Sequence, residues 1–182
     1  MTDKQKQCLL CYLGYYEGVI DGIFGTMSKM ATAAFQEDYA LTADGVFGEK
    51  TEQMIRKAVN GEAKPANAFE GIRYFKKDEF KCRCSGKYCN GFPAQPVKRL
   101  VCLAEKIRVH FGAPVIVSSG VRCEKHNTKV GGIAASRHQY GKAMDFCVKG
   151  KAAKEVLDYV KKLDGVRYAY AIDNAYVHID VQ

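Results

Sequence analysis

The residues of this chain best suited to chemistry lie in SRHQYGKAMDF, residues 136–146, where His138 precedes Asp145 by seven positions in a segment otherwise poor in charge. Only four histidines are present, His110, His126, His138 and His178. The last of them falls in YVHID near the C-terminus, a segment of strand-forming residues. Alternation along a strand puts Tyr176, His178 and Asp180 on one face. A buried imidazole or carboxylate without a partner is costly, so polar groups in such a strand need something to meet. His138, Asp145 and His178 would together form a two-histidine, one-carboxylate set with a fourth position open, the stoichiometry of a catalytic zinc site. Two surface histidines and a turn aspartate would give the same sequence, and spacing alone leaves both readings open.

These residues need elements to position them. Residues 94–111 place Val97, Leu100, Val101, Ala104, Ile107 and Phe111 on one helical face, closed by Gly112. A strand is expected over 114–118 and a second over 143–148 (AMDFCV), with YFKKDEFKCRC as a short lead-in to this half of the chain. Val156, Leu157, Val160 and Leu163 mark an amphipathic helix over 151–163. VRYAYAI and AYVHIDV read as a hairpin joined by Asp173-Asn174 as a two-residue turn. The pattern is α+β: an antiparallel sheet flanked by helices.

The first sixty residues are different. IDGIFGTMS (20–28) and ADGVFGEKT (43–51) repeat Asp-Gly-apolar-Phe-Gly, each pair marking a tight turn before a helix. Ser28 and Thr51 then fall close to helix cap positions. A helix over 2–13 opens with a Thr2-x-x-Gln5 capping box and stops at Gly14. Met27, Met30, Ala31, Ala34 and Phe35 form the apolar stripe of a second helix, and Met54, Ile55, Ala58 and Val59 that of a third. A small three-helix bundle over 1–60 is expected, then a linker over 61–69 (GEAKPANAF), then a second domain over 70–182.

Charge is divided between the two parts. Residues 1–60 carry six Lys or Arg against eight Asp or Glu, and the remainder 22 against 12. A basic second half suits a polyanion, either nucleic acid or the anionic polymers of a bacterial wall. No arginine-rich run or aromatic–basic interleaving supports nucleic acid, so none is expected as a partner. No stretch of about 18 apolar residues is present, so no membrane insertion is expected. The N-terminus lacks the features of a signal peptide, which predicts synthesis in the cytoplasm. Eight cysteines in such a chain are expected as reduced, buried or reactive thiols. The cluster KCRCSGKYC offers a structural zinc as an alternative, with Cys102 as fourth ligand, though its spacing is not that of a zinc-ribbon pair.

Two resemblances extend these readings. GYYEGVIDGIFG, then Ser28, Ala31 and Phe35-Gln36, then LTADGVFGEKT, resembles the peptidoglycan-binding domain found beside many cell-wall hydrolases, over residues 4–60. Ser136-x-His138-x-x-Gly141-x-Ala143-x-Asp145, with Ser119-Gly120-x-Arg122 before it and His178 after it, resembles the zinc D-Ala-D-Ala carboxypeptidase family. That family includes vancomycin-resistance dipeptidases and phage endolysins cutting L-Ala–D-Glu bonds. This second resemblance spans about residues 70–182.

The resemblance implies Zn2+ held by His138, Asp145 and His178, and hydrolysis of peptide bonds in bacterial peptidoglycan. It implies that Arg122 holds a developing oxyanion or a substrate carboxylate, and that Ser136 bonds substrate or orients its loop. Many family members carry an acidic residue three positions before the last histidine, where this chain has Ala175. Asp180 then becomes the leading general base, a supporting role close behind, with Asp173 the outsider. A monomeric endolysin or autolysin acting on the wall after release is the expectation. A non-catalytic wall-binding or phage-tail protein, and a thiol hydrolase using Cys123 or Cys147, are the rivals.

Overall fold

The computed structural model describes residues 1–182, which divide into two compact units, Met1–Asn67 and Ala68–Val181. The first holds three helices, α1 (Asp3–Tyr12), α2 (Thr26–Asp38) and α3 (Glu49–Val59). Thr2 caps α1 through the expected box: its hydroxyl accepts from Gln5 N–H and the Gln5 side chain accepts from Thr2 N–H. Leu10, Ala31, Phe35 and Ile55 are fully buried at the centre of the unit, each large aliphatic or aromatic side chain contributing about 1.5–3 kcal/mol. One expectation fails here. Met27 and Met30 are exposed, because α2 turns Ser28, Ala31, Thr32 and Phe35 inward instead. Ser28 and Thr51 lie as expected in the opening turns of α2 and α3, just inside the N-cap glycines Gly25 and Gly48.

Both residues belong to a polar device that repeats with the Asp-Gly turns. The buried Gln7 amide donates to Asp21 Oδ1, Ile23 O and Ser28 Oγ at 2.9, 3.1 and 3.2 Å, and its oxygen accepts from Gly22 N–H at 2.8 Å. Gln36 does the same with Asp44, Val46 and Thr51 at 2.9, 2.9 and 3.0 Å, accepting from Gly45 N–H at 2.9 Å. Each turn is thereby fastened to the preceding helix by a fully satisfied buried amide.

The second unit is a four-stranded antiparallel sheet in the order β1-β2-β4-β3, with β1 Val115–Ser119, β2 Ala143–Val148, β3 Val166–Ala171 and β4 Val177–Val181. Helices α4 (Lys98–Phe111) and α6 (Ala153–Val160) pack on it. The core joins Leu100, Val101, Leu103, Ala104 and Ile107 of α4, and Val156 and Val160 of α6, to Val117, Phe146, Met144, Ile179 and Val177. Gly112 ends α4 in the left-handed conformation at φ 58°. A six-residue helix, α5 (Glu124–Lys129), follows β1 and is too short to show in the periodicity. The terminal hairpin has a longer turn than expected: Ile172 N–H donates to Tyr176 O at 2.8 Å, which leaves Asp173, Asn174 and Ala175 as the loop. Asp173 closes it by accepting from the amides of Ala175 and Tyr176.

The sheet is irregular at two points. An extra residue, Ser118, stands between the pairs Val117↔Phe146 and Ser119↔Asp145. Another, Arg167, stands between Val166↔Val181 and Tyr168↔Asp180. Such bulges turn side chains away from the strict alternation of a strand.

Candidate metal centre

The sheet register brings Asp145 of β2 opposite His178 of β4, and His178 opposite Tyr170 of β3. The third member, His138, comes from a 3-10 turn over Arg137–Tyr140, which a left-handed Gly141 ends at φ 69°. A Cβ on Gly141 would lie 2.0 Å from Gln95 O, so no other residue fits there. His138 is held from two sides: its carbonyl accepts from Arg122 N–H at 2.9 Å, and its Nδ1 lies 2.7 Å from Gly120 O. The Gly120 carbonyl is an acceptor only, so Nδ1 carries the proton and the Nε2 lone pair faces inward. Gly120 is itself pressed against the chain, since a Cβ there would stand 2.3 Å from Phe80 O.

His138 Nε2, His178 Nδ1 and Asp145 Oδ1 converge. The separations are 3.3 Å between the two nitrogens, 3.2 Å from His138 to Asp145 and 2.7 Å from His178 to Asp145. Donors of this type sit about 2.0–2.1 Å from zinc, which places tetrahedral neighbours roughly 3.3 Å apart. Two of the three edges match that figure, and the third is a hydrogen bond that a cation would replace. All three residues are buried, and the donor set of two imidazoles and a carboxylate fits a divalent zinc.

A supporting shell surrounds them. Arg122 donates to Asp145 Oδ2 and, through Nε, to Ser119 Oγ at 2.7 Å. Ser118 Oγ donates to Asp145 O at 3.0 Å. Behind His178, Asp180 Oδ2 lies 3.8 Å from Nε2, the ring edge facing away from Asp145. Arg167, re-aimed by the β3 bulge, clamps Asp180 with bonds of 2.8 and 2.6 Å. The Tyr170 ring stacks on His178 with centroids 4.8 Å apart.

Electrostatics follow this arrangement. Burial opposes ionisation of Asp145, but the bonds from His138 and His178 and the charge of Arg122 outweigh it and hold the carboxyl below the usual range. Burial likewise opposes charge on His178 and Asp180, yet the neighbouring carboxylates raise the imidazole, and His178 and Arg167 lower Asp180. The ligand face opens into a cavity of about 360 Å³ whose walls include Arg122, Ser136, Arg137, Arg167, Tyr168 and Tyr170.

The expected residues are thus found together, with roles distributed by geometry. Arg122 lines the cavity but is committed to Asp145. Ser136 is buried at the start of the turn carrying His138, and its carbonyl accepts from Gln139 N–H at 3.0 Å. Asp173 is spent on the hairpin loop and is not among the cavity-lining residues. Arg167 and Tyr170 carry no signal in the sequence as partners of the site, because they depend on bulge and register. Gly120 stands in the Ser119-Gly120-x-Arg122 element, but the bond of its carbonyl to His138 follows from a close backbone approach. Of the rival nucleophiles, Cys123 joins a sulfur cluster apart from the histidines, and Cys147 is not grouped with the histidines.

The chain is also similar to known proteins. A peptidoglycan binding domain family matches residues 4–55, and the family described as peptidase M15 matches residues 73–180. The zinc D-Ala-D-Ala carboxypeptidase of Streptomyces albus G is 32% identical over 148 residues, covering 74% of this chain and 55% of the relative. A spore cortex-lytic enzyme of Bacillus cereus is 43% identical over 63 residues, covering 35% of this chain and 24% of the relative. An N-acetylmuramoyl-L-alanine amidase of Mycobacterium tuberculosis is 42% identical over 45 residues, covering 25% of this chain and 11% of the relative. The matched regions therefore span about half the length of the first relative and far less of the others. With its three inward-facing ligand atoms set within residues 73–180, the chain belongs to the peptidase M15 family.

Proposed function

We propose that this protein is a zinc-dependent peptidase acting on the peptides of bacterial peptidoglycan, with residues 1–60 as the wall-binding part and residues 70–182 as the hydrolytic part. The observation that carries the reading is the convergence of His138 Nε2, Asp145 Oδ1 and His178 Nδ1 beneath an open cavity. When bound, zinc supplies a Lewis acid for the scissile carbonyl and acidifies water. The protein's own residues do the positioning. Gly120 O fixes the tautomer of His138, Arg122 neutralises the outer oxygen of Asp145, and Asp180 steadies His178 from behind.

Asp180 is assigned the supporting role rather than that of general base. A base must reach the proton it takes. The Asp180 carboxylate instead lies off the far edge of the His178 ring and is gripped by Arg167. Three arginines, Arg122, Arg137 and Arg167, line a cavity with two carboxylates, and Tyr168 and Tyr170 supply half-exposed rings at its wall. That balance suits a peptide bearing its own carboxylate. Action on the wall implies that the protein works outside the cytoplasm, as an endolysin or autolysin would.

The test is mass spectrometry of the fragments released from defined peptidoglycan, with and without chelator. Specific peptide-bond cleavage that stops on chelation, returns with zinc and is lost in His138→Ala is the expected result. Release of sugar fragments, or cleavage indifferent to chelator, would refute the reading.

A further inference from the structure

A second group of metal-binding character lies outside the hydrolytic site. Cys82, Cys84 and Cys89 of the segment KCRCSGKYC meet Cys123, and all four sulfurs lie within 4.8 Å of one another. Cys82 and Cys123 are 3.8 Å apart and Cys84 and Cys89 3.5 Å apart, Sγ to Sγ. Sulfurs about 2.3 Å from a tetrahedral zinc stand roughly 3.8 Å from each other. Cys102, the fourth sulfur expected from sequence, instead lies on α4 and is not in the cluster. Cys123, the residue capping α5, takes its place.

The polypeptide around the sulfurs is arranged for them. Cys123 N–H points at Cys82 Sγ and Gly91 N–H at Cys89 Sγ, both at 3.4 Å, which is how backbone donors disperse thiolate charge. Ser85 and Gly86 adopt positive φ, 54° and 78°, so that Lys87 N–H returns to Cys84 O at 3.0 Å. Cys82 N–H donates to Gly91 O at 2.7 Å and closes the ends of the loop. Apart from its cysteines and the half-buried Tyr88, residues 81–91 are polar or glycine, and no helix or strand runs through them. A loop of this composition has too little apolar surface to bury and needs a staple.

We infer that Cys82, Cys84, Cys89 and Cys123 hold a structural zinc as a tetrathiolate, a second metal site distinct from the histidine centre. Zinc displaces the thiol protons to solvent, and Lys81, Arg83 and Lys87 lie in the same loop to offset the resulting negative charge. The consequence reaches the hydrolytic site. The loop grips residues 120–123: Phe80 O accepts from Val121 N–H at 2.8 Å, and Cys82 is bonded to Cys123 N–H. Residues 120–123 also present Gly120 O to His138 and Arg122 to Asp145. A staple at Cys123 therefore holds the two groups that orient the histidine–aspartate ligands.

The tetrathiolate site does not depend on the hydrolytic reading, and the test separates them. Full-length protein purified under reducing conditions should hold two zinc equivalents, and His138→Ala should retain one. Cobalt exchanged into His138→Ala should show intense thiolate-to-metal charge transfer, and Cys84→Ser in that background should lose both the band and the remaining metal. An organomercurial added to the unmodified protein should release one equivalent, which needs no variant to fold. Failure of the mercurial to release metal would overturn the site, as would metal that disappears entirely with His138→Ala. A native mass showing Cys82–Cys123 and Cys84–Cys89 disulfides in the freshly reduced protein would do the same.

Discussion

Asp180→Asn separates two chemistries that predict different losses. In the wild type both Asp180 oxygens accept from Arg167, at 2.8 and 2.6 Å, and Oδ2 stands 3.8 Å from His178 Nε2. Asparagine keeps one acceptor and presents an amide N–H₂ to a guanidinium that has only donors, so the clamp loses a bond as well as its charge. With the clamp weakened, the His178 ring is less firmly aimed at the ligand position. Loss of such a support costs about 10–100-fold in metal affinity or activity, or about 1.4–2.8 kcal/mol. Loss of a general base would instead cost about 10²–10⁴-fold in turnover with metal binding untouched. Zinc affinity is measured by competition with a chromophoric chelator, and kcat on a defined wall peptide at saturating zinc. The expected result is an affinity weakened by about 10–100-fold, with kcat restored to within about tenfold once zinc saturates. Arg167→Gln should shift affinity in the same direction by less. A kcat lower by more than about 100-fold at saturating zinc, with unchanged affinity, would make Asp180 the base and refute the geometric argument.

Two further predictions concern the first unit. Gln36→Leu removes four hydrogen bonds and strands the buried Gly45 N–H, so its unfolding free energy should fall by roughly 2–5 kcal/mol; a loss under about 1 kcal/mol in denaturant melts would show the amide clamp to be dispensable. Tyr15 donates to Asp38 at 2.9 Å, and burial and then the Asp38 charge raise its pKa above the ordinary phenol value. The folded state therefore keeps a proton that the unfolded chain releases, and this contribution is complete below about pH 10 and lost as pH rises beyond it. Tyr15→Phe should flatten the decline in stability above about pH 10, and an unchanged alkaline slope in thermal melts would count against the burial argument.

Local chemistry decided a good part of this protein. The Thr2–Gln5 box, the left-handed stop at Gly112 and the strand at AMDFCV each follow from a few neighbouring residues, and each is in the structure as expected. His138, Asp145 and His178 could be proposed as a set because metal chemistry restricts which residue types can serve. Everything that depends on register was settled only in three dimensions. Two bulges turn Ser118 onto the Asp145 carbonyl and Arg167 onto Asp180, and no residue type in either strand announces the extra residue. Met27 and Met30 fit an apolar stripe, yet α2 is rotated so that Ser28 can meet Gln7, because satisfying a buried amide outweighs covering two flexible side chains. Cys123 joined Cys82, Cys84 and Cys89 through a close approach of Gly120 to Phe80, across about forty residues of chain. Periodicity records which face of an element is buried. Which distant residue meets that face is decided by packing, where a shift of one residue changes every partner.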